Sequence, residues 1–528
     1  MVSNAIPSEP DGPASVLAGA QTMVRSLIET GALAGFLGRQ RWFARGGRPA
    51  SRLAPVDGAV IAGDPPLVLA LVDADGDLYY VPLALRPAGT PATAPPEREV
   101  GRAGDWVAYD AHWAPRLGRF TLGAMAQERR VAGTAGAFAF HRAADAKPVD
   151  DEEIGEMPVT PVSTEQSNTS LLLGTRLILK SFRRPPAGPN PELEIAQFLT
   201  TRTSFAHAAG LAGWMEYTPI DGPTATLCLV RPFLESRGDA WRETMDHLRR
   251  LGDVLVQEPA PAHREARERR LRELGGDFLE EMAGLGGVTG ELHAALAVEE
   301  SLPAFAPEPI TRADVDRWVG AIRHSAARLL DELGGRSARL PEAARRATRR
   351  LRGVGGRIER RLGDLALLAD EGAWKIRCHG DFHLGQVLRT AGGFAVIDFE
   401  GEPERPLADR RAKHSALRDV AGLLRSFDYA AHATMAERPP TDGPALGRWL
   451  GQWTRLVSAA FLRGYLDAAR RSPRPLGPRS PEAFRRACGV FEIEKALYEL
   501  RYELEHRPEW VPIPAAGLAR LLRARRGD

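Results

Sequence analysis

The stretch from Cys378 to Glu400 limits what this chain can be more than any other. It reads Cys378-His379-Gly380-Asp381-Phe382-His383-Leu384-Gly385-Gln386-Val387-Leu388, then a turn at Gly392-Gly393, then Phe394-Ala395-Val396-Ile397-Asp398-Phe399-Glu400. Two short apolar strands joined by a tight turn thus carry a carboxylate, an amide and a second carboxylate. Transfer of a phosphoryl group needs a carboxylate beside the attacking hydroxyl and oxygen ligands that hold Mg²⁺ against the phosphates. Asp381 suits the first task as catalytic base; Gln386 and Asp398 suit the second, with Glu400 able to assist a further ion. An ordinary hairpin with an Asp-capped turn would explain His-Gly-Asp alone, but not all three groups at this spacing. His379 reads as a histidine bonding loop backbone, and His383 either shapes the same loop or approaches the phosphates.

Such chemistry also needs a lysine on a sheet and a helix carboxylate to hold it. Lys180 closes the apolar strand Leu177-Ile178-Leu179, where the alternative is a strand-end lysine in solvent. Asn190-Pro191 is an N-cap followed by proline at the first helical position. Of the two acids that follow, Glu192 and Glu194, the latter is the expected partner because it precedes the apolar face Ile195, Ala196, Phe198 and Leu199. No glycine-rich phosphate loop precedes Lys180. Glu165-Gln166-Ser167-Asn168-Thr169-Ser170 stands in its place, a polar turn in which Ser167, Asn168 and Thr169 could cover phosphates. The run from Val230 to Leu234, with Phe233, falls where adenine would be received.

The remainder of the chain places these pieces. A helical segment near Met23 to Gly38 leads into strand-like runs at Ala59 to Ala62, Leu67 to Val72 and Leu78 to Leu83. Pro87 to Pro96 and the acidic Asp150 to Glu156 read as loops or linkers. Beyond Ser236 the pattern is helical, with amphipathic segments at Ala262 to Leu274, Arg312 to Leu333 and Pro341 to Leu367. Pro481 to His506 reads as one helix, with Lys495, Tyr498 and Tyr502 on one stripe. Such a row offers donors and aromatic faces to a sugar; a solvated helix face is the alternative. The predicted fold is α+β and eukaryotic protein kinase-like, bilobal, with a β-rich N-lobe, an N-terminal cap subdomain and a mostly helical C-lobe. The expected divisions are 1–110 for the cap, 111–235 for the N-lobe and 236–528 for the helical lobe.

At 528 residues and a formal charge of +2, the chain suits two or three domains and shows no overall field demanding nucleic acid or an anionic membrane. Cys228, Cys378 and Cys488 are too scattered for a zinc site or disulfide framework. The amino-terminal stretch has no signal-peptide pattern and no apolar run is long enough for a bilayer, so a cytoplasmic protein is expected.

Taken together, these segments resemble the actinobacterial maltokinases of the aminoglycoside-phosphotransferase-like kinases. The resemblance extends through Arg39-Gln40-Arg41-Trp42-Phe43, Asn190-Pro191-Glu192-Leu193-Glu194, the Asp381 and Asp398 segments, Arg418-Asp419-Val420-Ala421-Gly422, and Lys495-Ala496-Leu497-Tyr498-Glu499 with Arg507-Pro508-Glu509-Trp510. It implies ATP and Mg²⁺ as cofactors, and phosphorylation of maltose at its anomeric hydroxyl for α-glucan synthesis. It also implies Asp381 as base, Gln386 and Asp398 on Mg²⁺, Lys180 paired with Glu194, and Lys495, Tyr498 and Tyr502 facing the sugar. Asp419 would anchor the catalytic loop. Relatives of this kind also phosphorylate glucosamine, which is the alternative acceptor; an idle kinase fold beside a trehalose synthase is the non-enzymatic alternative.

Overall fold

The structure, a computed structural model, describes residues 13–43, 50–92, 94–147, 149–162, 167–258, 260–298, 300–336 and 340–523. The chain divides into two compact units, 1–200 with 209–234, and 201–208 with 235–528.

The first unit begins with helices α1 (Pro13–Glu29) and α2 (Ala32–Gly38), followed by β1 (Leu53–Ile61), β2 (Leu67–Ala74), β3 (Asp77–Tyr80), β4 (Leu83–Pro87), β5 (Glu99–Ala103) and β6 (Trp106–Asp110). These strands form an antiparallel sheet in the order β1-β2-β4-β6-β5, with β3 on β2. β2 is apolar at nearly every position because both its faces are buried, and alternate residues point opposite ways. Leu67, Leu69 and Leu71 join one cluster with Phe138, Phe140, Leu171 and Leu227. Val68, Ala70 and Val72 join a second with Phe36, Leu37, Trp42 and Tyr79.

Next come α3 (Pro115–Ala126), β7 (Arg130–Ala132), β8 (Gly136–Arg142), α4 (Asp151–Glu156), β9 (Val159–Val162), β10 (Asn168–Leu173), β11 (Leu177–Phe182), α5 (Pro191–Arg202), β12 (Gly213–Pro219) and β13 (Ala225–Pro232). A seven-stranded antiparallel sheet results, in the order β7-β8-β12-β13-β11-β10-β9. Two differences from the sequence reading appear. β7 and β8 join this sheet although their segment carried no strand expectation. The acidic stretch expected as linker is helix α4, because the Asp150 carboxylate accepts the Glu153 N–H at 2.7 Å and caps it.

A buried ion pair braces this unit. Arg183, just past β11, donates to Asp110 at 2.6 Å, and both side chains are at most 1% exposed. His112 Nδ1 donates to the other Asp110 oxygen at 2.8 Å, and the Arg183 guanidinium lies 4.6 Å from the Trp42 ring. Burial opposes the Asp110 charge, but Arg183 and His112 outweigh it and hold the carboxyl well below its usual range. Burial, aided by Arg183, lowers His112 to about 4, so it is neutral at pH 7.

The second unit contains β14 (Ser236–Asp239), α6 (Ala240–Leu255), α7 (Arg264–Ala295), β15 (Glu308–Pro309), α8 (Arg312–Arg336), α9 (Glu342–Arg349), α10 (Gly355–Leu362), α11 (Ala366–Asp370) and β16 (Trp374–Ile376). It continues with β17 (Val387–Thr390), β18 (Gly393–Val396), α12 (Leu407–Arg411), β19 (His414–Ser415), α13 (Leu417–Ala436), α14 (Gly443–Ala469), α15 (Pro481–His506) and α16 (Pro512–Leu521). The hairpin expected around Gly392-Gly393 is β17–β18, with Val387 opposite Val396 and β14 alongside. The helix expected over Pro481 to His506 has those bounds. Pro341 to Leu367 is broken into α9, α10 and the start of α11, with Gly353 left-handed between the first two. No helix among the described residues is long and apolar enough to cross a membrane.

Replacing Asp110 with Asn leaves the Arg183 charge buried without its counter-ion. A loss of about 3–5 kcal/mol is expected in urea unfolding followed by tryptophan fluorescence. A loss within experimental error would show that the pair does not brace the unit.

Candidate active site

In the second unit the chain leaves β16 at Ile376 and runs through Cys378–His383 into a single 3₁₀ turn, Leu384–Gln386, before β17. Gly380 turns the loop at φ 85°, a conformation that costs glycine little. Asp419, in the first turn of α13, accepts the backbone N–H groups of His379 at 2.8 Å and Gly380 at 3.0 Å. Its Oδ2 also lies 3.2 Å from His293 Nε2. Burial opposes charge on Asp419, but His293 and these donors prevail and its pKa is lowered. At Gly422 a Cβ would stand 2.3 Å from the Phe382 carbonyl, so glycine is what lets α13 lie against the loop.

His379 has the structural role expected of it. Its Nε2 donates to the Ile397 carbonyl at 2.9 Å, tying the loop to the strand that leads to Asp398. The Phe382 and Phe399 rings each lie 5.0 Å from its ring. Of the two roles left open for His383, the geometry supplies loop shaping: Nδ1 accepts the Gly385 N–H at 3.0 Å, and burial lowers its pKa, favouring the neutral acceptor.

Asp381 meets Lys495 of α15 across a small pocket also bordered by Glu402, Phe491 and Tyr498. Lys495 Nζ donates to Asp381 Oδ1 at 2.8 Å and to Glu402 Oε1 at 2.9 Å, and lies 4.6 Å from the Tyr498 ring centre. Burial would strip the Lys495 proton, but the Asp381 and Glu402 charges overcome this and raise its pKa. Glu402 is 3% exposed and also takes Arg405; against its burial, Lys495, Arg418 and Arg405 hold it ionised. Sequence reasoning gave Glu402 no role. Its only signal was a further acid beyond Glu400, after Gly401, which adopts φ 73°. Tyr502, expected beside the sugar, lies a turn beyond Tyr498 and outside this pocket. Its ring stacks on His506 at 4.4 Å.

Gln386 Nε2 donates to Asp398 Oδ2 at 2.8 Å. Asp398 has φ 64°, a conformation a non-glycine residue holds only where its surroundings impose it. Two carboxylates and an amide oxygen gathered on one hairpin form the hard donor set Mg²⁺ takes. They fit that ion chemically.

In the first unit, Lys180 sits on β11 opposite Ser170 and Leu229. Its Nζ donates to Glu192 Oε2 at 2.9 Å, and Glu192 is also 3.1 Å from Arg231. The expected partner was Glu194; the structure turns Glu192 toward the sheet instead. Asn190 Oδ1 caps α5 by accepting the N–H groups of Glu192 at 2.8 Å and Leu193 at 3.2 Å. With the start of the helix set, residues 192 and 194 lie about 200° apart around its axis, so both cannot face the sheet. Thr169 is committed as well: its hydroxyl accepts from Arg183 Nε at 2.8 Å. Ser167 is exposed and Asn168 half-buried opposite Phe182, while Glu165 and Gln166 lie outside the described residues. Val230 is fully buried in the core, and its carbonyl takes the Ala212 N–H at 2.8 Å, so its side chain has no face to offer adenine. Phe233, beyond the strand, is 37% exposed.

Residues 36–113 match the maltokinase N-terminal cap domain. A glucosamine kinase of Streptacidiphilus jiangxiensis is 29% identical over 431 residues, spanning 79% of this chain and 87% of that protein. One of Mycolicibacterium smegmatis is 27% identical, spanning 70% of this chain and 80% of its own. A solved glucosamine kinase in complex with glucosamine, ADP and inorganic phosphate shares the fold at TM-score 0.62 and 23% identity, covering 93% of this chain and 99% of that one. The fold is thus the α+β, protein-kinase-like one that this solved glucosamine kinase shares, and the relatives that span most of the chain are carbohydrate kinases. Residues 36–113 carry the cap that the maltokinase resemblance implied.

Substitution of Glu192 with Gln removes the Lys180 counter-charge and is expected to lower kcat/KM for ATP by about ten- to a hundredfold. Glu194→Gln should stay within about twofold of the parent. Equal effects of the two in steady-state kinetics would reverse this assignment.

Proposed function

We propose that the chain transfers the γ-phosphate of ATP to a sugar hydroxyl. The observation that carries this reading is the Asp381 carboxylate, fixed through Oδ1 by Lys495 at the wall of a pocket. Asp381 Oδ2 accepts the proton of the sugar hydroxyl as that oxygen bonds to the γ-phosphorus. The bond from phosphorus to the bridging oxygen breaks, and ADP leaves with the electron pair. Lys495 keeps Asp381 oriented, while Glu402 holds Lys495 from the other side. Lys180, steadied by Glu192, meets the phosphates; Ser167, Asn168 and Phe233 are the remaining candidates for nucleotide contact. Gln386, Asp398 and Glu400 would hold Mg²⁺, which supplies charge neutralisation at the phosphates when bound. With Lys180, Asp381, Gln386 and Asp398 all present, an idle kinase fold is the poorer reading.

For the acceptor we infer glucosamine ahead of maltose. Support comes from the two glucosamine kinases, which match over 79% and 70% of this chain. The maltose reading rests on the cap match, which covers only residues 36–113 and includes none of the residues around Asp381.

Release of ADP measured with glucosamine, maltose and glucose separates these readings, with the highest kcat/KM expected for glucosamine. A preference for maltose would overturn the acceptor and leave the kinase reading standing. In Asp381→Asn, kcat is expected to fall by about two to four orders of magnitude. Retention of most of the rate would remove Asp381 as the base.

A further inference from the structure

A second cavity, of about 610 Å³, opens in the helical unit among α13, α14, α15 and the end of α16. That size suits a small organic molecule. α15 contributes Phe484, Cys488 and Glu492, and α14 contributes Ser458, Ala459 and Leu462. None of these borders the Asp381 pocket, which takes its α15 residues from Phe491, Glu494, Lys495 and Tyr498.

The polar groups around this cavity are unevenly satisfied. Arg520 is paired with Asp428 of α13, and Arg463 with Glu280 at 2.9 Å. Arg455 of α14 and Arg485 of α15 are exposed at the cavity and have no ion-pair partner among the described residues. Glu492 forms no hydrogen bond or ion pair among the described residues. Glu492 is half-buried; desolvation favours its neutral form and, against the pull of Arg425 and Arg520, raises it to about 7. Two uncompensated guanidinium groups, a carboxyl able to donate its proton, and apolar walls from Leu462, Leu466 and Phe484 therefore surround one space.

We propose that this cavity is a second small-molecule site, separate from the Asp381 pocket, which binds an amphipathic organic anion. The anionic group pairs with Arg455 and Arg485, and the apolar body lies against Leu462, Leu466 and Phe484. Guanidinium groups favour carboxylate, sulfonate or phosphate oxygens because they donate in a planar fork. Glu492 is faced by Arg425 and Asp428 from α13, Arg520 from α16 and Arg361 from α10, with Arg455 of α14 on the same cavity. Below about pH 7 it is neutral and donates to the ligand. As the pH rises through that value it ionises and repels the ligand.

Anilinonaphthalene sulfonate, an amphipathic anion, serves as the probe, with the full-length native protein and fluorescence as the readout. Saturable binding of one dye per chain is expected, undisturbed by ATP and sugar. The double substitution Arg455→Ala with Arg485→Ala should weaken it about tenfold. Ala459→Trp, which fills the cavity from an exposed position on α14, should abolish it with phosphate transfer unchanged. Affinity should fall several-fold between pH 6 and pH 8 in the parent, and stay level in Glu492→Gln. Absence of saturable binding, displacement of the dye by ATP and sugar, or equal affinity in the parent, the double variant and Ala459→Trp would each overturn the site. Circular dichroism on each variant confirms that the comparison is made on folded protein.

Discussion

The geometry of the catalytic loop hangs on one buried carboxylate. Asp419 accepts two consecutive backbone N–H groups, those of His379 and Gly380, which the turn would otherwise leave unpaired in the interior. An unmet N–H at such depth costs more than most single contacts return. The loop's path, and with it the position of Asp381, follows from where α13 puts this side chain. Gly422, one turn along, removes the Cβ that would hold the helix off the loop, and His293 Nε2 lies 3.2 Å from the carboxylate on its other side. His379 then carries the constraint across to Ile397, between β18 and Asp398. The loop carrying Asp381 and the segment carrying Asp398 are thus held to each other by hydrogen bonds.

The two buried charge clusters serve different ends. Arg183 with Asp110 and His112 joins the cap's last strand to the end of β11, so the strand bearing Lys180 is tied to a part of the chain far away in sequence. Lys495 between Asp381 and Glu402 does something else: it places a positive charge against the carboxylate proposed as the base. Such a base is oriented more than it is strengthened. That agrees with phosphoryl transfer, in which positioning and charge neutralisation contribute more than proton abstraction.

Much of the candidate site was legible because its residues are close in sequence. Asp381, Gln386 and Asp398 lie on one loop and hairpin, so strand periodicity and the Gly392-Gly393 turn were enough to bring them together. The N-cap at Asn190 was legible for the same reason. Less legible were rotation and distance. Glu194 looked the better partner for Lys180 because it stands beside the apolar run, but the cap sets the helix phase and turns Glu192 inward. Tyr502 shares a stripe with Lys495, yet the pocket ends a turn before it. Val230 lies in the expected segment, but in the middle of a strand whose side chain the core has taken. Glu402 escaped notice because its importance comes from Lys495, which is remote in sequence.

The sequence by itself determined the class of chemistry, since the spacing of donors on a short hairpin depends on local geometry that the backbone enforces. It also determined most strands and helices, through alternation in β2 and the helical period of α15. Tertiary structure decided which carboxylate meets which cation: Glu192 with Lys180, and Glu402 with Lys495. Pairs like these depend on helix phase and on packing between segments distant in the chain, and burial favours partners able to compensate a charge removed from water.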